Sequence, residues 1–136
     1  MSLPEWTARI ESALDAKMGI ELIEIGPSRS EARMPVEGNT QPFGLWHGGA
    51  SCVLAETLAS LSAYAAVGPE GQIFGVDINA THHRPARDGW VRGVATALHI
   101  GGRLGTWEVR LTGEDGELLC TARVTCALRR PRPRRE

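Results

Sequence analysis

The chain of 136 residues carries 15 Lys and Arg against 16 Asp and Glu, a formal net charge of −1, with 42% hydrophobic and 23% charged residues. That composition excludes a disordered chain, and the length suits one domain. Five of the fifteen basic side chains, Arg129, Arg130, Arg132, Arg134 and Arg135, fall in the last eight residues, so residues 1–128 hold ten basic and fifteen acidic groups, a net of −5 that is unlike a nucleic-acid-binding surface.

The start, Met-Ser-Leu-Pro-Glu-Trp, has neither the basic and apolar regions of an export signal nor a lipidation pattern. Trp6, Ile10, Ala13 and Leu14 then recur at helical spacing and Gly19 marks a stop, which predicts a helix. Residues 20–25 and 28–35 flank Gly26 and Pro27 and predict an antiparallel strand pair. Residues 38–49 contain Gly38, Pro42, Gly44, Gly48 and Gly49, too many breakers for regular structure, and lead into an apolar helical stretch that ends near Gly68 and Pro69. From there the pattern is β: residues 73–82, 90–99, 106–111 and 118–128 predict four strands in an antiparallel meander. Residues 129–136, rich in Arg and Pro, are expected to be a disordered, solvated tail, which leaves 1–128 as the single domain.

Residues 50–67 resemble a membrane span in length, but they include Glu56, Thr57, Ser60 and Ser62, and a charge at mid-span costs about 2.5 kcal/mol or more. No membrane association is expected; a helix apolar around most of its circumference needs cover, and the only cover available is the sheet. The expected class is therefore α+β, an antiparallel β-sheet wrapped around a long central α-helix, which is the hotdog fold. Cys52, Cys120 and Cys126 form no two-residue redox or zinc spacing, and their odd number suits a reducing compartment, so a cytoplasmic location is expected. His82 and His83 are strand neighbours that point to opposite faces, and no metal is expected. A nucleophilic role for Cys52 is disfavoured, because nothing nearby in the sequence lowers its thiol pKa.

Glu56 is the only Asp, Glu, Lys or Arg between Glu37 and Glu70. A carboxylate buried in such a helix is a candidate general base or nucleophile with a raised pKa; the other reading is a structural glutamate bonded to backbone or buried water. Gly48 and Gly49 make a helix N-terminus with no side chains in the way, suited to polarising a carbonyl, or else only a turn. Ser60, one turn after Glu56, is placed to orient its carboxylate or a water. Eight residues separate Gly48 from Glu56, about 12 Å along one helix, whereas an attacking group must come within about 3.5 Å of the carbonyl carbon. If both serve one reaction, they come from different chains, and a homodimer with shared sites is expected.

The run Gln41-Pro42-Phe43-Gly44-Leu45-Trp46-His47-Gly48-Gly49-Ala50, then Leu54-Ala55-Glu56-Thr57 and Ser60, resembles the hotdog-fold acyl-CoA thioesterases. The nearest group contains the Arthrobacter-type 4-hydroxybenzoyl-CoA thioesterase, the phenylacetate-pathway (PaaI) enzymes and the enterobactin proofreading thioesterase. Residues 75–86 look like the same family, and the similarity spans about residues 17–128. The resemblance implies hydrolysis of an acyl- or aryl-CoA thioester to a carboxylic acid and CoA, with no cofactor beyond the CoA thioester substrate. It implies Glu56 as catalytic carboxylate, the Gly48 amide polarising the carbonyl, His47 and Gln41 positioning that carbonyl or the water, and Ser60 in support. It places His82, Arg84, Gly102 and Arg103 at contacts to CoA, and it implies a homotetramer. Trp46 departs from the aliphatic residue expected before His-Gly-Gly. The rival classes are a hotdog dehydratase or hydratase and a non-catalytic acyl-CoA-binding protein. The first fits the nine-residue step from His47 to Glu56 less well, and the second has no need of Glu56.

Overall fold

The computed structural model describes residues 3–132. A 3₁₀ turn, Glu5–Arg9, and a short helix α1, Ala13–Met18, precede strands β1, Glu21–Glu24, and β2, Arg29–Pro35. The long helix α2, Gly48–Val67, follows, then β3, Gln72–His82, β4, Trp90–Ile100, β5, Leu104–Thr112, and β6, Leu118–Arg129. The six strands form one antiparallel sheet in the order β1-β2-β4-β5-β6-β3 around α2, the hotdog arrangement.

Burial on α2 follows from its composition. Ala50, Leu54, Ala55, Leu58, Ala59, Ala63 and Val67 recur every three or four residues on the sheet side, where Leu54 and Leu58 are fully buried. Truncating either leucine to alanine is expected to cost about 2–5 kcal/mol. The small residues between them let the sheet approach, and Gly93 of β4 completes the fit: a Cβ there would stand 2.8 Å from Leu58 Cδ1. Two buried hydroxyls, Ser62 on α2 and Ser30 on β2, share a 2.6 Å hydrogen bond that fixes the helix against the sheet. By length and composition α2 is able to cross a membrane, but half of it is buried inside the protein.

Three expectations are corrected. The opening helix is broken in two, because Ile10 is extended and Ser12 starts a new helix by accepting a hydrogen bond from Asp15 N; Gly19, at φ 76°, ends it as expected. The last four strands are not a meander. β4, β5 and β6 are consecutive neighbours, but β3 pairs with β6 at the sheet edge. The 83–89 segment carries the chain back over the strand ends, with His83 N bonded to Leu119 O, Ala86 O to Trp46 N and Gly89 O to Val36 N. The sheet also extends one residue past the expected boundary at 128, and Arg130 donates to Gly101 O and Gly102 O at 3.0 and 2.6 Å. Residues 133–136 of the expected tail lie outside the described residues.

Candidate active site

The N-terminus of α2 presents one amide. Of its first four N–H groups, those of Ala50 and Ser51 bond to His47 O, and that of Gly49 is capped by His47 Nδ1 at 2.8 Å. Gly48 N–H has no acceptor among the described residues and stands at the positive end of a 20-residue helix. His47 is an unusual cap, since Ser, Thr, Asp and Asn dominate that position. As acceptor through Nδ1, its ring carries the proton on Nε2. The exposed His82 ring lies against Gly48, where an added Cβ would stand 2.9 Å from His82 Nε2.

Gln41 belongs to the same place. Its Oε1 accepts from Phe43 N and Leu45 N, fixing the 41–45 turn and leaving the amide nitrogen to donate. Trp46 is accommodated by burial to 7% exposure, with Nε1 donating to Ser51 Oγ at 2.6 Å. Gln41, Gly48, His82 and Arg84 line one concavity of about 370 Å³. Arg84 is paired there with Glu117 at 2.9 Å, both side chains being solvent-exposed.

Glu56 lines a different concavity of about 460 Å³, with Ser60 on the same face of α2. It is exposed in the single chain, which corrects the expectation of a buried carboxylate: residues 53, 56, 57, 60 and 61 of α2 line an open concavity shared with the N-terminal segment. Its carboxylate reaches over β3, where a Cβ at Gly75 would stand 2.8 Å from Oε1. Ser60 does not bond to Glu56. Its hydroxyl meets the Cys126 thiol of β6, the strand position opposite Gly75. Burial pushes that thiol up from its ordinary value, the Ser60 hydrogen bond opposes this, and the Glu56 charge adds to the rise, which keeps Cys126 protonated and inert at neutral pH.

The four residues expected at CoA are not gathered in one chain. His82 lies opposite Cys120, near the start of β6, whereas Arg103 O accepts from Leu128 N, near its end. Eight strand residues separate the two levels, about 27 Å. Gly102 and Arg103 form the β4–β5 turn together with the Arg130 guanidinium. Among the described residues no three His, Cys, Asp or Glu side chains converge to hold a metal ion. Sequence reasoning passed over Gly75, which makes room for Glu56, and Asp15, which accepts from Thr57 Oγ1 at 3.0 Å beside it. A glycine inside a strand pattern was the available signal for Gly75; Asp15 had none.

One long helix wrapped by a six-stranded antiparallel sheet is the hotdog fold. The thioesterase superfamily model matches residues 43–120, and the chain belongs to that family. It is 46% identical over 112 residues to the 1,4-dihydroxy-2-naphthoyl-CoA hydrolase of Escherichia coli (strain K12), covering 82% of each chain. Among solved structures it is similar to a thioesterase of Pseudomonas aeruginosa, at 38% identity and TM-score 0.85, over 92% of this chain and 91% of that one. A thioesterase of Haemophilus influenzae is 37% identical with TM-score 0.81, over 85% and 81%.

Proposed function

We propose that the chain hydrolyses acyl- or aryl-CoA thioesters at a site shared by two copies, with Glu56 of one subunit and Gly48 N–H of the partner subunit acting on one carbonyl. The observation that carries this reading is the separation of the two halves. Glu56 and Ser60 face one concavity, and Gln41, Gly48, His82 and Arg84 face another. An antiparallel pair of α2 helices joins the first of one copy to the second of its partner. Gly48 N–H then stabilises the developing oxyanion, a contribution of about 3–4 kcal/mol for one such donor. His47 holds Gly49 N–H so that Gly48 is the amide left over, and the Gln41 amide nitrogen positions the carbonyl or the water.

Glu56 either attacks the carbonyl carbon, expelling the CoA thiolate and leaving an anhydride for water to open, or takes a proton from the attacking water. In both routes the C–S bond breaks, a C–O bond forms and the thiol leaves with a proton. His82 and Arg84 sit on the Gly48 side, where they meet the carrier, and Gly102 and Arg103 meet its phosphates from another edge of the assembly. The reading is of a cytoplasmic enzyme of the group named above, consistent with its three free thiols. The tetramer rests on the family resemblance.

The test is complementation. Glu56→Ala and Gln41→Ala, each inactive alone, are mixed after reversible dissociation. Half of the dimers are then mixed, each with one intact site, and about a quarter of wild-type activity returns. A site built within one chain gives no recovery.

A further inference from the structure

The concavity beside Glu56 is built from two parts of the chain. α2 supplies Val53, Glu56, Thr57, Ser60 and Leu61, and the N-terminal segment supplies Ile10, Glu11, Ser12, Leu14 and Asp15. The N-terminal segment is held onto α2 by Trp6, which meets the Tyr64 ring edge-on with centroids 4.8 Å apart. If Glu56 reaches the thioester carbonyl, this concavity receives the acyl group. Its volume, about 460 Å³, lies within the range of small-molecule pockets. Ile10, Leu14, Val53 and Leu61 give it apolar walls.

Its charge is one-sided. Glu11, Asp15 and Glu56 all line it, and no Lys, Arg or His does. Asp15 is the most firmly placed of the three. Its backbone N–H bonds to Ser12 Oγ at 3.2 Å, its backbone carbonyl accepts from Ile20 N at 3.0 Å, and its Oδ1 accepts from Thr57 Oγ1 at 3.0 Å. Oδ2 has no partner among the described residues. Thr57 directly follows Glu56, so this fixed carboxylate lies within one helical turn of the group proposed to act on the carbonyl.

We infer that Asp15 is the acyl-specificity residue of this enzyme: its anchored carboxylate admits neutral acyl groups, favours those that present a hydroxyl donor to Oδ2, and excludes those that carry a carboxylate. A hydroxyl placed on Oδ2 makes a charge-assisted hydrogen bond, which adds at least tenfold to discrimination. A carboxylate in the same position meets like charge and leaves two acceptors facing each other. This inference rests on Glu56 acting at the thioester.

The test compares kcat/KM for benzoyl-CoA, hydroxybenzoyl-CoA and carboxybenzoyl-CoA, the last two as their ring isomers, at low ionic strength. Wild type is expected to favour at least one hydroxybenzoyl isomer over benzoyl by tenfold or more and to disfavour carboxybenzoyl by a hundredfold. Asp15→Asn retains an acceptor for Thr57 but not the charge, and should raise the carboxybenzoyl to benzoyl ratio at least tenfold. Asp15→Ala should erase the hydroxyl preference. Ratios cancel any general loss from a disturbed α1, and if Asp15→Ala does not fold, the Asp15→Asn ratio decides alone. Ratios that stay within twofold of wild type overturn the inference while leaving the thioesterase reading intact. A wild type that hydrolyses none of the three but releases CoA from straight-chain acyl-CoAs also overturns the inference, and one that releases CoA from neither kind overturns the thioesterase reading with it.

Discussion

A side chain at position 75 would occupy the space in which the Glu56 carboxylate sits. The nearest atom to a Cβ there is Oε1, at 2.8 Å, and the carboxyl carbon follows at 3.7 Å. Gly75→Ala therefore moves the end of a flexible side chain and leaves the backbone in place. Displacement of a reacting group by about 1 Å costs on the order of a hundredfold. The expected outcome is a kcat reduced ten- to a hundredfold with a thermal midpoint within about 3 °C of wild type, a shift of less than 1 kcal/mol in a domain of this size. An unchanged kcat would show that Glu56 does not need this position. Glu56 and Gly48 stood out in the sequence because each breaks a local pattern, a lone charge in an apolar run and glycines at a helix start, whereas His47 entered only with the family resemblance. Gly75 and Asp15 did not stand out, since each matters through a neighbour distant in the chain, and pairwise contact leaves no periodicity. The exposure of Glu56 was misread for a related reason. An apolar helix announces that it is covered, but not whether a second chain supplies part of the cover.

At the scale of elements, the sheet joins its β1, β2 and β4 strands by charge as well as by backbone. Glu31 on β2 is 8% exposed and accepts from Arg92 of β4 through Nε and Nη2, at 2.8 and 2.6 Å, and from Arg29 at 3.0 Å. Arg29 also pairs with Glu24 at the end of β1. The Arg92 hydrogen bonds hold the Glu31 carboxyl below its ordinary value; burial opposes this, and Arg29 adds to the lowering. A carboxyl whose folded pKa is depressed contributes stability above its unfolded pKa, and that contribution is lost as pH falls through the folded value. Glu31→Gln should lower stability at pH 7 by about 1–3 kcal/mol and have progressively less effect below pH 4. Urea unfolding of both proteins at pH 7 and pH 3 checks this; an equal difference at both pH values would remove Glu31 from the acid response. The strands themselves were found within one or two residues from β-rich runs between turn signals, and the β1–β2 pair with them, whereas the place of β3 beside β6 was not. Alternation reports which face a residue takes, and the β3–β6 pairing depends on a crossing held by bonds from Leu119, Trp46 and Val36 that have no local signature.

At the scale of the whole molecule, one chain carries two separate concavities, one beside Glu56 and one beside Gly48, and an open sheet edge. β3 is the last strand of the sheet and runs for 11 residues with Phe74 half exposed and Val76 61% exposed. A long apolar edge is a surface for pairing with another strand, and soluble proteins cover or charge such edges. Gly75 lies on the same strand with the Glu56 carboxylate against it, so an interface along β3 would lie beside the Glu56 concavity as well as over the edge. The dimer and the catalytic unit are thus one proposal. Val76→Lys places a charge in the middle of that edge, and the expected product is a monomer by sedimentation that keeps its far-ultraviolet spectrum. Its hydrolysis should fall by a hundredfold or more, because the amide of Gly48 and the carboxylate of Glu56 remain about 12 Å apart along one helix. No thioester carbonyl meets both within a single chain. A folded monomer with wild-type kcat would overturn the shared site and require Glu56 to work without the helix amide.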